Sequence, residues 1–436
     1  MTTLHDREHP LRRQVAAELH ARPFESVRAP LLVSHLALLG DDAGADRRHV
    51  AALCEALEQR TPRDDATLHS VDLGAFRLRW ERHTEFSSYT FFVRDFDAPA
   101  LRPFGQQALS RVPEDWRAAL PGELIAAVHL VLEATTTPER QPDEVMELFR
   151  TENVAGSLVA DGGARVFTDF RLHGDGFGRI LVQDLGLPAP RSGRLVQRLL
   201  EIETYRLLAL LAFPVARSAT SELGQLEQRL HELTARMADH GDVENARTLL
   251  AEISGLSADL ARSSTGSDYR LSAARAYHEL VRHRIDNLRE QRLRNLQTIG
   301  EFMERRFEPA MKTCHSAADR QEALSRRLSR AADLLSTRVD VALEAQNRDL
   351  LASMNRRTGA QLRLQQTVEG LSVVVLGYYS TGLIAYMLRG LEAAGFRFNV
   401  EITLGILAPL VVVSVWLLVR TIRRRIMARL DADAEP

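Results

Sequence analysis

The chain has 436 residues, of which 45% are hydrophobic and 26% charged, and its formal net charge is −2. This length and composition predict two or three structural units with sizeable cores, and the balanced charge excludes a strongly basic nucleic-acid-binding protein. Lys312 is the only lysine, so lysine-based covalent chemistry is excluded elsewhere in the chain. Cys54 and Cys314 match no metal-ligand spacing or disulfide framework, which predicts free thiols in a cytosolic setting.

Residues 1–215 are predicted to form an α+β cytoplasmic domain with one sheet, because helix-like and strand-like patterns alternate along them. Helices are predicted at residues 10–20, 47–60 and 191–213, the last ended by Pro214. Strands are predicted at residues 31–39, 76–82, 86–93, 124–133, 164–172 and 180–184. The first residues lack the apolar stretch of a secretory signal, so we expect this domain to stay in the cytoplasm.

The richest cluster of ionisable residues is Asp169, His173 and Asp175 in the sequence TDFRLHGDGFGR. Two carboxylates and an imidazole within seven residues are candidate ligands of a divalent cation. The interleaved glycines also suit an ordinary turn between two strands, which we favour. No other cofactor is indicated. The chain has no nucleophile elbow, Walker loop, HExxH or CxxC motif, so we predict no catalytic residues and no enzyme activity.

Three smaller groups have weaker signals. Glu81, His83 and Glu85 alternate along one side of a strand or hairpin, where a metal site is the lesser interpretation. His20, Arg22 and Glu25 flank Pro23 in HARPFE and are candidates for anion binding, although a capped helix end followed by a turn is favoured. On the helix at 191–213, one face is predicted to be an exposed ion-pair row. Its members are Arg194, Arg198, Glu201 and Tyr205.

Residues 216–367 are predicted to form a stalk of long antiparallel coiled-coil helices, because apolar residues recur at alternating spacings of three and four. The recurring residues include Leu223, Leu226, Leu230, Leu249, Ile253, Leu256, Leu271, His278, Leu324, Leu328 and Leu335. Breaks are predicted at residues 240–242 and 263–267, and a further break or kink at Pro309. Beyond Pro309 one helix is expected to continue into the membrane.

Residues 368–419 are predicted to form a transmembrane hairpin with spans at 370–388 and 402–419, both free of charged residues. Arginines are concentrated before the first span and in the basic tail, residues 420–436, while the connecting loop has only Arg389 and Arg397. By the positive-inside rule, both termini are then cytoplasmic and the loop lies outside. The lipid bilayer is therefore a predicted partner of a multi-pass protein.

The first span carries more polar residues than a plain anchor requires. Ser372, Tyr379 and Tyr386 recur every seven residues on one helix face. We favour packing against a neighbouring helix as the role of this face. The alternative is that the face lines a polar pathway along the axis of an oligomer. In the outside loop, Glu392 and Glu401 are either solvated charges, which we favour, or carboxylate rings that gather cations.

Long segments of the chain resemble a known bacterial family, the domain-of-unknown-function family 3422. They include HPLRRQVAAELHARPFE at residues 9–25, PEDWRAALPGELI at 113–125 and GRLVQRLLEIETYRLLALLAFP at 193–214. The resemblance covers nearly the whole chain and implies a membrane-anchored protein of the bacterial inner membrane. It implies no activity and no catalytic residues.

The order of parts also resembles the magnesium channels of the CorA type, in which the first span lines a pore. The Gly-Met-Asn signature of those channels is absent, because residues 386–390 read YMLRG. We therefore expect a homo-oligomeric membrane assembly or scaffold, associated through its stalk and first span, with a cytoplasmic sensory or binding domain. A divalent cation channel or transporter is the alternative. An enzyme would instead require a deep pocket with several ionisable groups within residues 1–215.

Overall fold

The computed structural model describes residues 8–9, 11–12, 24–40, 42–94, 103–238, 243–394 and 399–432. The chain divides into two compact units, one made of residues 1–240 and 248–333 and the other of residues 241–247 and 334–436. Nearly all of the helix predicted at residues 10–20, and the break predicted at 240–242, lie outside the described residues.

The first unit contains a single nine-stranded sheet within the described residues, in the order β2-β3-β4-β1-β5-β8-β7-β6-β9. Strands β5 and β8 pair in parallel, and the other neighbours are antiparallel. The strands are β1 Leu31–Leu39, β2 Leu68–Asp72, β3 Arg77–Arg82, β4 Phe86–Val93, β5 Glu123–Glu133, β6 Ala155–Val159, β7 Ala164–Thr168, β8 Gly178–Asp184 and β9 Gln291–Arg292.

Within the first unit, helices cover both faces of the sheet and pack against one another. The α-helices of the whole described chain are, in order, α1 Ala43–Ala56, α2 Glu114–Ala118, α3 Pro142–Phe149, α4 Ala189–Leu210, α5 Ala212–Ala238, α6 Val243–Asp286, α7 Ile299–Arg306, α8 Glu308–Ala393 and α9 Val400–Ala432. The predicted helix end at Pro214 is wrong. Helix α4 ends at Leu210, and Pro214 lies in the first turn of α5, where a missing N–H costs nothing because that group has no helical acceptor.

Successive side chains of β1 point to opposite faces of the sheet and pack in two separate hydrophobic cores. Val33 and Ala37 face the core shared with α4 and the bundle. Leu32 and Leu36 face the core shared with α1 and α3. Because β1 lies in the middle of the sheet with helices on both sides, it is buried over almost its whole length, which explains its nearly continuous apolar sequence.

Helices α5, α6 and α8 pack side by side in the first unit. Arg236 of α5 pairs with Glu252 of α6 at 2.8 Å, and Arg320 of α8 pairs with Glu227 of α5 at 2.7 Å. Successive pairs between α5 and α6, and between α6 and α8, run in opposite sequence directions, so each of these helix pairs is antiparallel. The predicted apolar seam residues from Leu223 to Leu335 are buried.

The break predicted at residues 263–267 is wrong, because α6 runs through it without interruption. The hydroxyl of Thr265 donates to the carbonyl oxygen of Ala261 at 2.8 Å, and that of Ser267 bonds to the preceding turn and to Gln321 of α8. The hydroxyl groups are therefore satisfied inside the helix. Pro309 marks a real boundary, since α7 ends at Arg306 and α8 begins at Glu308.

After α6 the chain returns to the sheet. The β9 residue Arg292 pairs with Ser157 on β6, so β9 forms this edge of the sheet. Glu290 accepts hydrogen bonds from the Ser157 hydroxyl at 2.8 Å and from the N–H groups of Ile299 and Gly300, at the start of α7. One carboxylate thus joins the sheet edge to the first turn of a bundle helix.

Two helices in the described part of the chain, α8 and α9, are long and apolar enough to cross a membrane. Only 6% of the apolar window of α8, and none of that of α9, is buried within the protein. These windows are therefore unlike the core helix of a soluble domain, which passes the same length and composition test but is mostly buried. Helix α8 begins in the first unit and continues into the second as one helix.

Two helical glycines give opposite predictions for substitution by alanine. A Cβ atom at Gly193 of α4 would lie 1.7 Å from the carbonyl oxygen of Glu25, whereas one at Gly224 of α5 meets nothing within 4 Å. We expect Gly193→Ala to lower the free energy of unfolding by roughly 1–3 kcal/mol through overpacking. The matched control Gly224→Ala should raise it by up to about 1 kcal/mol, because alanine favours the helix. Thermal unfolding of the full chain in detergent measures both, and equal shifts would contradict the close approach at Gly193.

Candidate functional site

A narrow cleft lies between one face of the sheet and helix α4. Its empty volume is about 550 Å³, which includes open solvent at its mouth. The part that is wide enough to place a water molecule is much smaller, about 50 Å³ measured at the water centres. Its walls come from β1, β3, β4, α4 and residues 25–27. Apolar side chains such as Phe86, Val196 and Leu200 line it together with several ionisable groups, a mixture typical of small-molecule sites.

Strand register places the polar residues of the cleft in two adjacent rows. Arg79, Thr90 and His35 lie opposite one another on β3, β4 and β1. In the next row on the same face, Glu81 lies opposite Ser88. Because residues two apart on a strand, and residues opposite each other on neighbouring strands, face the same side of the sheet, all five side chains point towards α4.

The charged residues at one end of the cleft form a connected network. Arg79 donates to Glu81 and lies 4.0 Å from Glu25, and its side chain is only 6% exposed. Glu25 also accepts hydrogen bonds from Ser70 and, at 3.2 Å, from Arg77. Arg79 is thus held between two carboxylates, which offsets the cost of burying its guanidinium group.

The opposite wall is one face of α4. Gln197 donates to Glu201 at 2.8 Å, and Glu201 also accepts from Arg284 of α6. The exposed ion-pair row predicted on this helix is wrong for Tyr205, which is 8% exposed, lines the cleft and stacks on Tyr277 of α6 with ring centroids 5.6 Å apart. Packing of α6 over α4, which helical periodicity within α4 cannot indicate, explains the difference.

His35 joins the two walls through hydrogen bonds from both ring nitrogens. Thr204 of α4 donates its proton to the carbonyl oxygen of Leu200, so its oxygen accepts from Nε2 of His35 at 3.0 Å. The other nitrogen, Nδ1, then accepts from the hydroxyl of Thr90 at 2.8 Å. This arrangement satisfies a neutral imidazole, and complete burial lowers the pKa of His35 to about 4.

A similar pair lies on the opposite face of the sheet. Ser34 accepts from the N–H group of Leu109 at 3.0 Å and lies 2.9 Å from Nδ1 of His129. The ring of His129 stacks on Phe177, and burial lowers its pKa to about 4. Ser34 is fully buried, so this Ser–His pair offers no accessible nucleophile and is structural.

The cleft is also bonded to α6 at the turn between β3 and β4. Glu85 in this turn accepts hydrogen bonds from Arg270, Tyr269 and Tyr277 of α6. Burial alone would raise the pKa of Glu85, but the hydrogen bonds and charge of Arg270, with the tyrosine hydroxyls, lower it overall. A carboxylate is therefore the stable form at this contact between the sheet and the bundle.

The predicted metal ligands lie in a turn. The N–H of Gly176 donates to the carbonyl oxygen of His173 at 2.8 Å, and Asp175 accepts from the N–H of Phe177. Asp169 and His173 lie 3.2 Å apart through Oδ2 and Nε2. In the described ranges, no group of three or more His, Cys, Asp or Glu side chains is placed to hold a metal ion. The set Asp169, His173 and Asp175 stays a prediction that this geometry does not strengthen.

The residues predicted for a polar face on the first span lie on α8. Tyr379 and Tyr386 are 70% and 75% exposed, and the hydroxyl of Ser372 donates to the carbonyl oxygen of Val368 at 2.9 Å. Glu392 is exposed near the end of α8, and Glu401 lies in the first turn of α9, where a carboxylate is favourable. Their role in a pore stays a prediction, since it depends on an oligomer.

Sequence reasoning singled out some residues of the cleft but not their association. Glu25, Glu81 and His83 belonged to two separate weak candidates, and the structure places all three around one cleft. His35 and Ser88 were missed. The available signal was a polar residue within an otherwise apolar strand, as in LLVSHLALL and FSSYTFFV.

Comparison with protein families identifies the chain. A family model described as "Protein of unknown function (DUF3422)" matches residues 7–426. The chain therefore belongs to this family, as its motifs indicated. No curated protein matches it.

The two buried histidines predict loss of stability in mild acid. The unfolded state binds protons below a pKa of about 6.5, whereas the folded histidines stay neutral down to about 4. Stability is thus fully present above pH 6.5 and falls as the pH drops towards 4, by on the order of 3 kcal/mol per histidine.

We expect His35→Asn to flatten the dependence of the melting temperature on pH between 6.5 and 4.5, whatever its effect at pH 7. The matched control His231→Asn changes an exposed histidine of α5 and should leave the slope unchanged. Melting curves of the full chain across this pH range make the measurement, and an unchanged slope in His35→Asn would show that His35 is not buried as a neutral group.

Proposed function

We propose that this member of the family is a homo-oligomeric, membrane-anchored assembly protein of the bacterial inner membrane, whose α+β domain binds a small ligand in the cleft. Helix α6 reports the state of the cleft to the rest of the bundle. The proposal assigns no catalytic activity. The observation that carries it is that both walls of the cleft are bonded directly to α6.

Three contacts support this coupling. Arg284 of α6 bonds to Glu201 on the α4 wall, and Arg270 bonds to Glu85 at the end of the strand wall. Between them, Tyr277 stacks on Tyr205. A ligand that moves α4 away from the strands has to alter at least one of these contacts, so occupancy of the cleft biases the position of α6.

The route continues from α6 to α8 by side-chain contacts. His278 lies 2.7 Å from Glu308, and Arg275 pairs with Asp319 at 3.3 Å. Helix α8 then runs without interruption to Ala393 and includes the first candidate span. A long helix transmits displacement along its axis because its backbone hydrogen bonds resist compression.

In the proposed membrane arrangement, α8 and α9 cross as a hairpin with both termini in the cytoplasm. The arginine-rich sequence after α9 supports this orientation. Close approach of the two helices is supported at Gly377, where a Cβ atom would lie 3.3 Å from the side chain of Val412. Self-association is proposed through the stalk and the first span, where leucines such as Leu350 and Leu364 are exposed.

A divalent cation channel is the second candidate. The observation that favours it is the high exposure of Tyr379 and Tyr386 on α8, which leaves this face available to an oligomer axis. Ring symmetry with these residues around a water-filled axis, seen by cryo-EM of the detergent-extracted protein with and without magnesium, would favour the channel. Burial of the same residues between helices would favour the assembly protein.

The coupling predicts a long-range effect of one arginine. Arg270→Gln removes the bond to Glu85, and we expect faster amide hydrogen exchange both in α6 and in residues 308–335 of α8. The matched control Arg262→Gln removes only an exposed pair with Asp259 on the same helix and should leave α8 unchanged. Hydrogen exchange of the full chain in detergent is the measurement. Faster exchange confined to the neighbourhood of residue 270 would contradict the proposed transmission.

A further inference from the structure

Ser88 supplies the cleft with a hydroxyl group that makes no hydrogen bond to the described residues. Ser88 on β4 is 3% exposed and lines the cleft. Among the described residues its hydroxyl makes no hydrogen bond, although its neighbours Ser87 and Tyr89, on the other face of the sheet, both bond to Asp46. Because this hydroxyl opens onto the cleft, it can both donate to and accept from a ligand bound there.

Two further hydrogen-bond acceptors lie beside Ser88. Glu81, directly opposite on β3, is engaged by Arg79 through Oε1, which leaves Oε2 available. Thr90, two residues along β4 on the same face, uses its proton towards His35 and keeps a lone pair. Opposite residues in a sheet are about 5 Å apart and alternate residues about 7 Å, so one small group can contact these oxygens where the side chains lean towards one another.

The charge balance around these acceptors also favours a cation. Glu81, Glu25 and Asp72 are joined in one network by Arg79 and Arg77. Among the described pairs, Glu25 and Glu81 are only 17% and 13% exposed, so a cation beside Glu81 is favoured over an anion. The more distant carboxylate of Glu201 is already neutralised by Arg284.

The remainder of the cleft is apolar and narrow. Phe86 and Phe92 line the strand side, and Val196 and Leu200 line the helix side. The small open volume favours a small ligand, and the apolar lining favours a hydrocarbon part on it.

We propose that the ligand of the cleft is a small primary ammonium compound with an apolar chain. This rests on the ligand-binding role proposed above and names its substrate class. An ammonium group has three N–H donors and no acceptor, which matches the free oxygens of Glu81, Ser88 and Thr90. The apolar chain lies along Phe86 and Leu200. An alcohol supplies only one donor, and a carboxylate is repelled by the charge of Glu81.

The experiment compares three four-carbon probes on the full chain in detergent at constant ionic strength. Butylammonium chloride, 1-butanol and sodium butyrate are each tested by thermal shift and by isothermal titration calorimetry. We expect butylammonium to raise the melting temperature and to bind, while butanol and butyrate bind at least tenfold more weakly.

Two variants locate the binding site. Ser88→Ala should weaken butylammonium binding about fivefold, and Glu81→Gln about 10–100-fold, from the usual contributions of neutral and charge-assisted hydrogen bonds. The matched control Glu139→Gln alters an exposed carboxylate paired with Arg165 and should bind as the parent does. If Glu81→Gln fails to fold because Arg79 loses its partner, Ser88→Ala alone decides the site.

Two outcomes would overturn the inference. Butylammonium binding that neither variant weakens would place the ammonium elsewhere. Butyrate or butanol binding more tightly than butylammonium, and weakened by Ser88→Ala, would give the cleft a ligand of another class while the proposed ligand-binding function stands.

Discussion

The hydrogen bonds of His35 join a central strand of the sheet to helix α4. Strand β1 is buried on both faces, so a polar side chain there must find its partners within the protein. His35 finds Thr90 on the neighbouring strand and Thr204 on α4, which fixes the helix at one height above the sheet. The cleft lies beside this attachment, so these hydrogen bonds set the distance between its two walls.

Local patterns in the sequence were sufficient where a segment's structure depends on its own residues. Strands β1 and β4 were predicted with their observed bounds, because apolar runs and alternation are local properties. Short elements such as β6 and α3 were missed, since each is stabilised by neighbours rather than by its own periodicity. The serine-rich break in α6 was wrong because side-chain bonds to the preceding turn replaced the expected capping.

The cleft could be predicted only in fragments. Glu25 and Glu81 were noticed as ionisable residues, but their shared partner Arg79 was not, since the pairing depends on how the segment before β1 meets β3. His35 and Thr204 are far apart in the sequence, and no single-sequence pattern relates them. Contacts between residues distant in sequence form the polar network of the cleft. Periodic patterns within single segments determine only its strands and helices.

The return of the chain to the sheet after α6 has a mechanical consequence. Helices α5 and α6 follow α4 in the chain, and the chain returns to the sheet at β9, where Glu290 and Arg292 meet β6. The helix pair is therefore attached to the sheet domain at two points, the end of α4 and β9. It cannot rotate about one hinge as a segment with a single attachment can. The movements that keep both attachments are tilting of the pair and sliding of one helix along the other. Displacement of one attachment point therefore shifts α5 relative to α6.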